Sequence, residues 1–132
     1  MKHQHLLIID LTKAEQDQET RERAEQLAKS YPYLRITVLG RPQLKKFFDQ
    51  THANINFMVA NIPVEYHGVK GLNALYRRLV AKQFTHIADV SPTSCSSYLR
   101  IRFNIGRFQV QHKNKHHNIG DVMNRLGFPL KN

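Results

Sequence analysis

A single cysteine, Cys95, excludes an internal disulfide framework and fits a reducing compartment. Long hydrophobic runs are missing as well. The longest uninterrupted apolar stretch, Leu6 to Ile9, is far short of the roughly 18 residues that a membrane span requires, and no apolar core with a cleavage site follows Met1. The expectation is a cytoplasmic protein without a transmembrane segment. Carboxylates are scarce in one half only: residues 67–132 carry Asp89 and Asp121 against eleven Lys and Arg, so nine of the ten net positive charges lie there. That asymmetry draws anions and points to a polyanionic partner, whether nucleic acid, an anionic lipid surface or an acidic glycan. The plainer alternative is a soluble basic surface with no dedicated ligand.

Glycine is absent from one telling place. The stretch from Leu6 to Pro32 reads as a buried strand running into a long helix, an opening that nucleotide-binding folds usually join with a glycine-rich phosphate loop. Here the junction is Leu11-Thr12-Lys13-Ala14-Glu15. Thr12 and Glu15 fit a capping box, each side chain serving the other's backbone N–H, and Glu15, Asp17 and Glu19 put negative charge where the helix dipole is positive. An incoming phosphate would meet carboxylates and a Cβ at every residue. The junction is therefore read as structural, not as an anion site.

What is present is a chain of 132 residues, 41% of them hydrophobic, enough for one domain spanning residues 1–132 with a real core. Short apolar runs alternate with amphipathic stretches, the pattern of a parallel sheet covered by helices. Strands are expected at Leu6–Leu11, Leu34–Leu39, Ile55–Val59, His86–Val90 and Arg107–Gln111. Val69, Leu72, Tyr76, Leu79 and Val80 recur at helical spacing and predict a helix with that stripe inward. Ser94 is placed to cap a helix carrying Cys95, Leu99 and Phe103 on one face and ending at Gly106. Asn118 is placed to cap a last helix closed by Gly127.

Other constellations carry less. His112, His116 and His117 lack an acidic or thiol co-ligand and sit among Lys113 and Lys115, so a solvated basic loop is preferred to a metal site. With Arg107 the same loop makes a clamp for phosphate or carboxylate. Cys95 has no histidine and acid assignable to it, and its spacing with Leu99 and Phe103 indicates packing. The tyrosines are scattered, with no paired platform for stacking RNA bases.

The segments AEQLAKSYPYLRITVLGRP, GLNALYRRLVAKQFTHIADV and YLRIRFNIG resemble, in order and spacing, the amino-terminal, acceptor-side domain of glycosyltransferase family 9. The resemblance covers about residues 6 to 111, and NIGDVMNRLGFPL is similar to a helix near that domain's end. The family's ADP-heptose:lipopolysaccharide heptosyltransferases are two-domain enzymes of the GT-B type, each domain Rossmann-like, that move heptose onto the acidic inner core of lipopolysaccharide. Two departures bear on activity. The family's first loop ends in Gly-Asp, whose aspartate is taken as the general base; that pair falls here on Glu15-Gln16, and a glutamine amide is no proton acceptor. Asp17, one residue on, would point about 100° further around the helix. After the fourth strand, where the family commonly has His-Asp and basic residues, the chain has the hydroxyl-rich turn Ser91 to Ser97. In the family the donor nucleotide is held mainly by the other domain, which the resemblance does not reach.

Residues and resemblance together predict an α/β, Rossmann-like domain with a parallel five-stranded sheet in the order 3-2-1-4-5 and helices on both faces, as in one half of a GT-B glycosyltransferase. The expected function is non-catalytic binding of an anionic glycan or a partner protein, in a shortened and degenerate relative, with no cofactor and no metal. Alternatives are half of a split glycosyltransferase whose second chain supplies donor binding, and a basic nucleic-acid-binding protein; peripheral contact with an anionic membrane surface is a further option. Expected charge contacts are Lys70, Arg77, Arg100, Arg107, Lys113 and Lys115, and expected crevice contacts are Ser91, Thr93 and Ser94. The crevice lies where ligands sit in open α/β sheets, outside the carboxyl ends of the strands at the topological switch point.

Overall fold

The computed structural model describes residues 4–11, 17–48, 53–60, 68–90, 93–105, 109–112 and 119–129. Five strands, β1 (His5–Asp10), β2 (Arg35–Gly40), β3 (Ile55–Val59), β4 (His86–Asp89) and β5 (Gln109–His112), form one parallel sheet in the order β3-β2-β1-β4-β5. Every residue of β1 is buried, as befits a central strand of a parallel sheet covered on both faces. Among the described residues, four α-helices, α1 (Asp17–Ser30), α2 (Gly68–Val80), α3 (Ser94–Ile105) and α4 (Ile119–Arg125), and one 3₁₀ helix (Pro42–Phe48) connect and cover the strands.

Alternation along β1 divides the core. Leu6 and Ile8 join Ala24, Leu27 and Ala28 of α1, Leu44 and Phe48 of the 3₁₀ helix, and Val122 and Met123 of α4. Leu7 and Ile9 point the other way, into a second cluster with Leu75 and Leu79 of α2 and Leu99 and Phe103 of α3. A parallel sheet between two helical layers is the architecture anticipated from the sequence.

The details differ in places. In α2 the buried line is Leu75 and Leu79, with Leu72 and Tyr76 half-buried, whereas Val69 and Val80 are exposed. The apolar stripe counted in the sequence was too wide: with Leu75 and Leu79 turned to the sheet, about 100° per residue puts Val69 and Val80 roughly 100–120° around the helix from the buried line. The cap of α3 is Thr93 rather than Ser94. Its Oγ1 accepts from the Ser96 backbone N–H at 3.0 Å while Ser96 Oγ accepts from the Thr93 N–H at 2.7 Å, a capping box with serine in the place usual for Glu or Gln. The capping box expected at Thr12 and Glu15 lies outside the described residues, and α1 is described from Asp17. At the end of α4, Gly127 has φ of 93°, with Phe128 N–H donating to the Met123 carbonyl at 2.8 Å and Gly127 N–H to that of Asn124 at 3.0 Å. These two bonds form a Schellman motif that turns the Phe128 ring back into the core.

Candidate functional site

β1 lies between β2 and β4, and the chain crosses from one side of β1 to the other between β3 and β4. The topological switch point is therefore at the adjoining carboxyl ends of β1 and β4, where Ile9 pairs with Asp89. Both strands end in a buried aspartate. Because paired residues of parallel strands share a face, Asp89 points with Ile9 toward α2 and α3, and Asp10 points with Ile8 toward α1. The sheet thus keeps two polar clusters apart.

On the α1 face, Thr20 donates its hydroxyl to Asp10 Oδ2 at 2.7 Å. The Arg41 guanidinium, one residue beyond β2, donates through Nη2 to Asp17 Oδ1 at 2.5 Å. Asp17 has only 3% of its side chain exposed. Burial raises its pKa above the ordinary 3.8; Arg41 pulls it back down, the negative charge of Asp10 pushes it up again, and Lys46 makes a smaller favourable contribution. The carboxylate is turned inward, where an ion pair repays part of its desolvation.

On the other face, Arg100 of α3 brings Nε to 2.8 Å from Asp89 Oδ2 and donates through Nη2 to Ser97 Oγ at 2.8 Å. Arg100, expected as a contact for an outside anion, instead neutralises the buried carboxylate of β4. Neighbouring Arg102 is also engaged. It donates through Nη1 to Asn73 Oδ1 at 2.7 Å and to the Tyr98 hydroxyl at 3.1 Å, and its guanidinium lies 4.5 Å from the Tyr76 ring centroid. This stacked arginine joins α3 to α2.

The nine expected contacts therefore part company. Lys70 and Arg77 stand exposed on α2. Thr93, expected as a crevice contact, has its hydroxyl committed to the α3 cap, because a free helix end competes for it first. Ser94 is the first residue of α3. Ser91, Arg107, Lys113 and Lys115 lie outside the described residues, as do His116 and His117. The Asp10, Thr20, Asp17 and Arg41 cluster was not anticipated, although an aspartate closing an otherwise apolar strand was a visible signal for it. Among the described residues no group of three or more His, Cys, Asp or Glu is placed to hold a metal, and no helix is long and apolar enough to cross a membrane.

Neither a protein-family profile nor a curated protein matches the chain by sequence. Solved structures do match by shape. A glycosyl transferase of family 9 from Veillonella parvula superposes with a TM-score of 0.71 over 96% of this chain and 42% of its own, at 19% identity. A UGT transferase from Siraitia grosvenorii, solved with UDP, superposes with a TM-score of 0.55 over 83% of this chain and 27% of its own, at 12% identity. The chain spans less than half the length of either protein. Strand order, parallel sheet and both similarities agree that this chain has the fold of one Rossmann-like half of a glycosyltransferase.

Proposed function

We propose that this glycosyltransferase-like domain binds an anionic glycan and does not transfer sugar on its own. The observation that supports this best is the burial of Asp17. Asp17, one residue past the position where the resembled family carries its base, faces inward against Arg41 and is closed to an arriving acceptor hydroxyl. In the resembled enzymes the donor nucleotide is held mainly by the other domain, and the role proposed for this one is recognition. Arg107, Lys113 and Lys115 supply cations for phosphate or carboxylate groups, and the Ser91 and Ser94 hydroxyls supply hydrogen bonds to sugar.

The test is binding of the purified chain to a soluble, fluorescent, phosphorylated inner-core oligosaccharide at low and physiological salt, with ADP release from ADP-heptose followed in parallel. Saturable binding that survives physiological salt and weakens in Lys113→Ala and Arg107→Ala is expected, with no ADP above a protein-free blank. ADP released by the isolated chain, or no glycan bound at either salt, would overturn the reading.

A second reading is that this domain works as half of a split glycosyltransferase whose second chain supplies donor binding; the matched Veillonella glycosyl transferase extends well beyond the 42% that this chain covers. Under that reading ADP release returns when a co-purifying glycosyltransferase half is added.

A further inference from the structure

The outer face of α2 and α3 has an unusual combination of charge and exposed aliphatic surface. Neither helix contains a carboxylate. With Leu75 and Leu79 turned to the sheet, the helical repeat of about 100° per residue directs Lys70 and Arg77 straight outward. The same reasoning from Leu99 and Phe103 directs Ile101 of α3 outward. Ile101 is 60% exposed and Val69 is 68% exposed. Val69 lies one helical turn before Asn73, the residue that Arg102 bonds, so it borders the seam between the helices. Two large aliphatic side chains thus stand in water beside cations that no acidic neighbour on either helix offsets.

We propose that this face docks on an anionic phospholipid bilayer, Val69 and Ile101 entering the acyl boundary while Lys70 and Arg77 meet lipid phosphates. Charge complementarity selects an anionic surface, and the aliphatic pair selects a bilayer among anionic surfaces. A nucleic acid would use the cations but offers no apolar phase for Val69 and Ile101. It would also want free aromatic faces for stacking, whereas Arg102 already covers Tyr76 and reaches to 5.9 Å from the Tyr98 centroid. The Arg102 contacts to Asn73 and Tyr76 hold α2 and α3 together as one platform. Docking here leaves the carboxyl edge of the sheet open, since α2 and α3 cover a face of the sheet and not the ends of its strands.

The experiment is co-sedimentation of the full chain with phosphatidylcholine vesicles, with and without phosphatidylglycerol, at physiological ionic strength. Binding that requires phosphatidylglycerol is expected. The double variant V69S/I101S is expected to weaken it about tenfold, and K70A and R77A about fivefold each. All four positions are exposed, so an unchanged thermal midpoint verifies that the variants fold. Absence of binding to phosphatidylglycerol vesicles would overturn the proposal. So would wild-type binding by V69S/I101S, or displacement from vesicles by duplex DNA or single-stranded RNA at physiological salt. The glycan reading is tested with a soluble oligosaccharide and no lipid, so either can fail while the other stands.

Discussion

Arg41, one residue past β2, reaches across to Asp17 at the start of α1 and meets its carboxylate at 2.5 Å. Most of both side chains is withdrawn from water, 20% of Arg41 and 3% of Asp17 remaining exposed. The pair ties the helix to the neighbouring loop at the carboxyl edge of the sheet. Truncation as Arg41→Met would leave a buried carboxylate without its cation, a loss of about 3 kcal/mol at neutral pH, the low end for a buried pair because Arg41 retains some solvent.

The same pair sets a pH dependence. Burial, only partly offset by Arg41, holds the Asp17 pKa above its ordinary 3.8. The folded chain therefore keeps a proton that the unfolded chain has released, and the Asp17 contribution to stability falls as pH rises through 3.8 to the raised value. Without Arg41 the raised value climbs further. The difference in denaturant midpoint between wild type and Arg41→Met should be largest at neutral pH and shrink as pH falls into the carboxylate range; a constant difference would contradict this account.

His86 titrates in the opposite sense. Its ring is buried edge-on against Phe128, centroids 4.8 Å apart, with Nδ1 2.8 Å from Thr85 Oγ1, and burial lowers its pKa below the ordinary 6.5. The unfolded chain takes up a proton that the folded chain refuses, so stability present above 6.5 is lost as pH falls below it. Thermal melts from neutral to mildly acidic pH should show wild type losing stability relative to His86→Asn. Parallel profiles would mean that His86 is not the group responsible.

Gly40 ends β2 in a space with no room for a side chain. A Cβ there would fall 2.6 Å from Leu44 Cδ2, 3.1 Å from Phe57 Cζ and 3.2 Å from the Asp10 carbonyl oxygen. Leu44 can shift, but the β1 backbone cannot. Gly40→Ala should cost about 1–3 kcal/mol by overpacking, read from chemical denaturation.

The Thr93 cap gives a separate local test. Thr93→Ala removes the acceptor for the Ser96 N–H and should lower stability by about 0.5–2 kcal/mol. Thr93→Ser, which keeps the hydroxyl, should recover most of it. Equal losses in both would assign the effect to packing of the threonine methyl instead.

The first four strands were readable because each centres on a short apolar run, and Ile55–Val59 matches its predicted limits, whereas β5, expected at Arg107–Gln111, is described as Gln109–His112 with Val110 its one apolar residue. The α2 helix was readable from its 3.6-residue period, but which side of that helix is wet was not. Val69 and Val80 satisfy the period and still lie exposed, because with Leu75 and Leu79 on the sheet they stand about 100–120° around the helix from that buried line. The candidate site was less legible still. Arg100 looks in sequence like any surface arginine, and only the return of α3 over β4 brings it to Asp89.

Residue chemistry along the chain sets the local layer of the structure: the alternation of buried strands and amphipathic helices, a first strand–helix junction without glycine, and the gathering of positive charge in residues 67–132. Those follow from side-chain chemistry and spacing along the chain. The tertiary structure decided which charges are spent and which remain. Asp17 and Arg41 are 24 residues apart, and Asn73 and Arg102 are 29 apart. Parallel strands force each connection to cross a whole face of the sheet, so the partner of a charged side chain is chosen by which elements that crossing sets side by side.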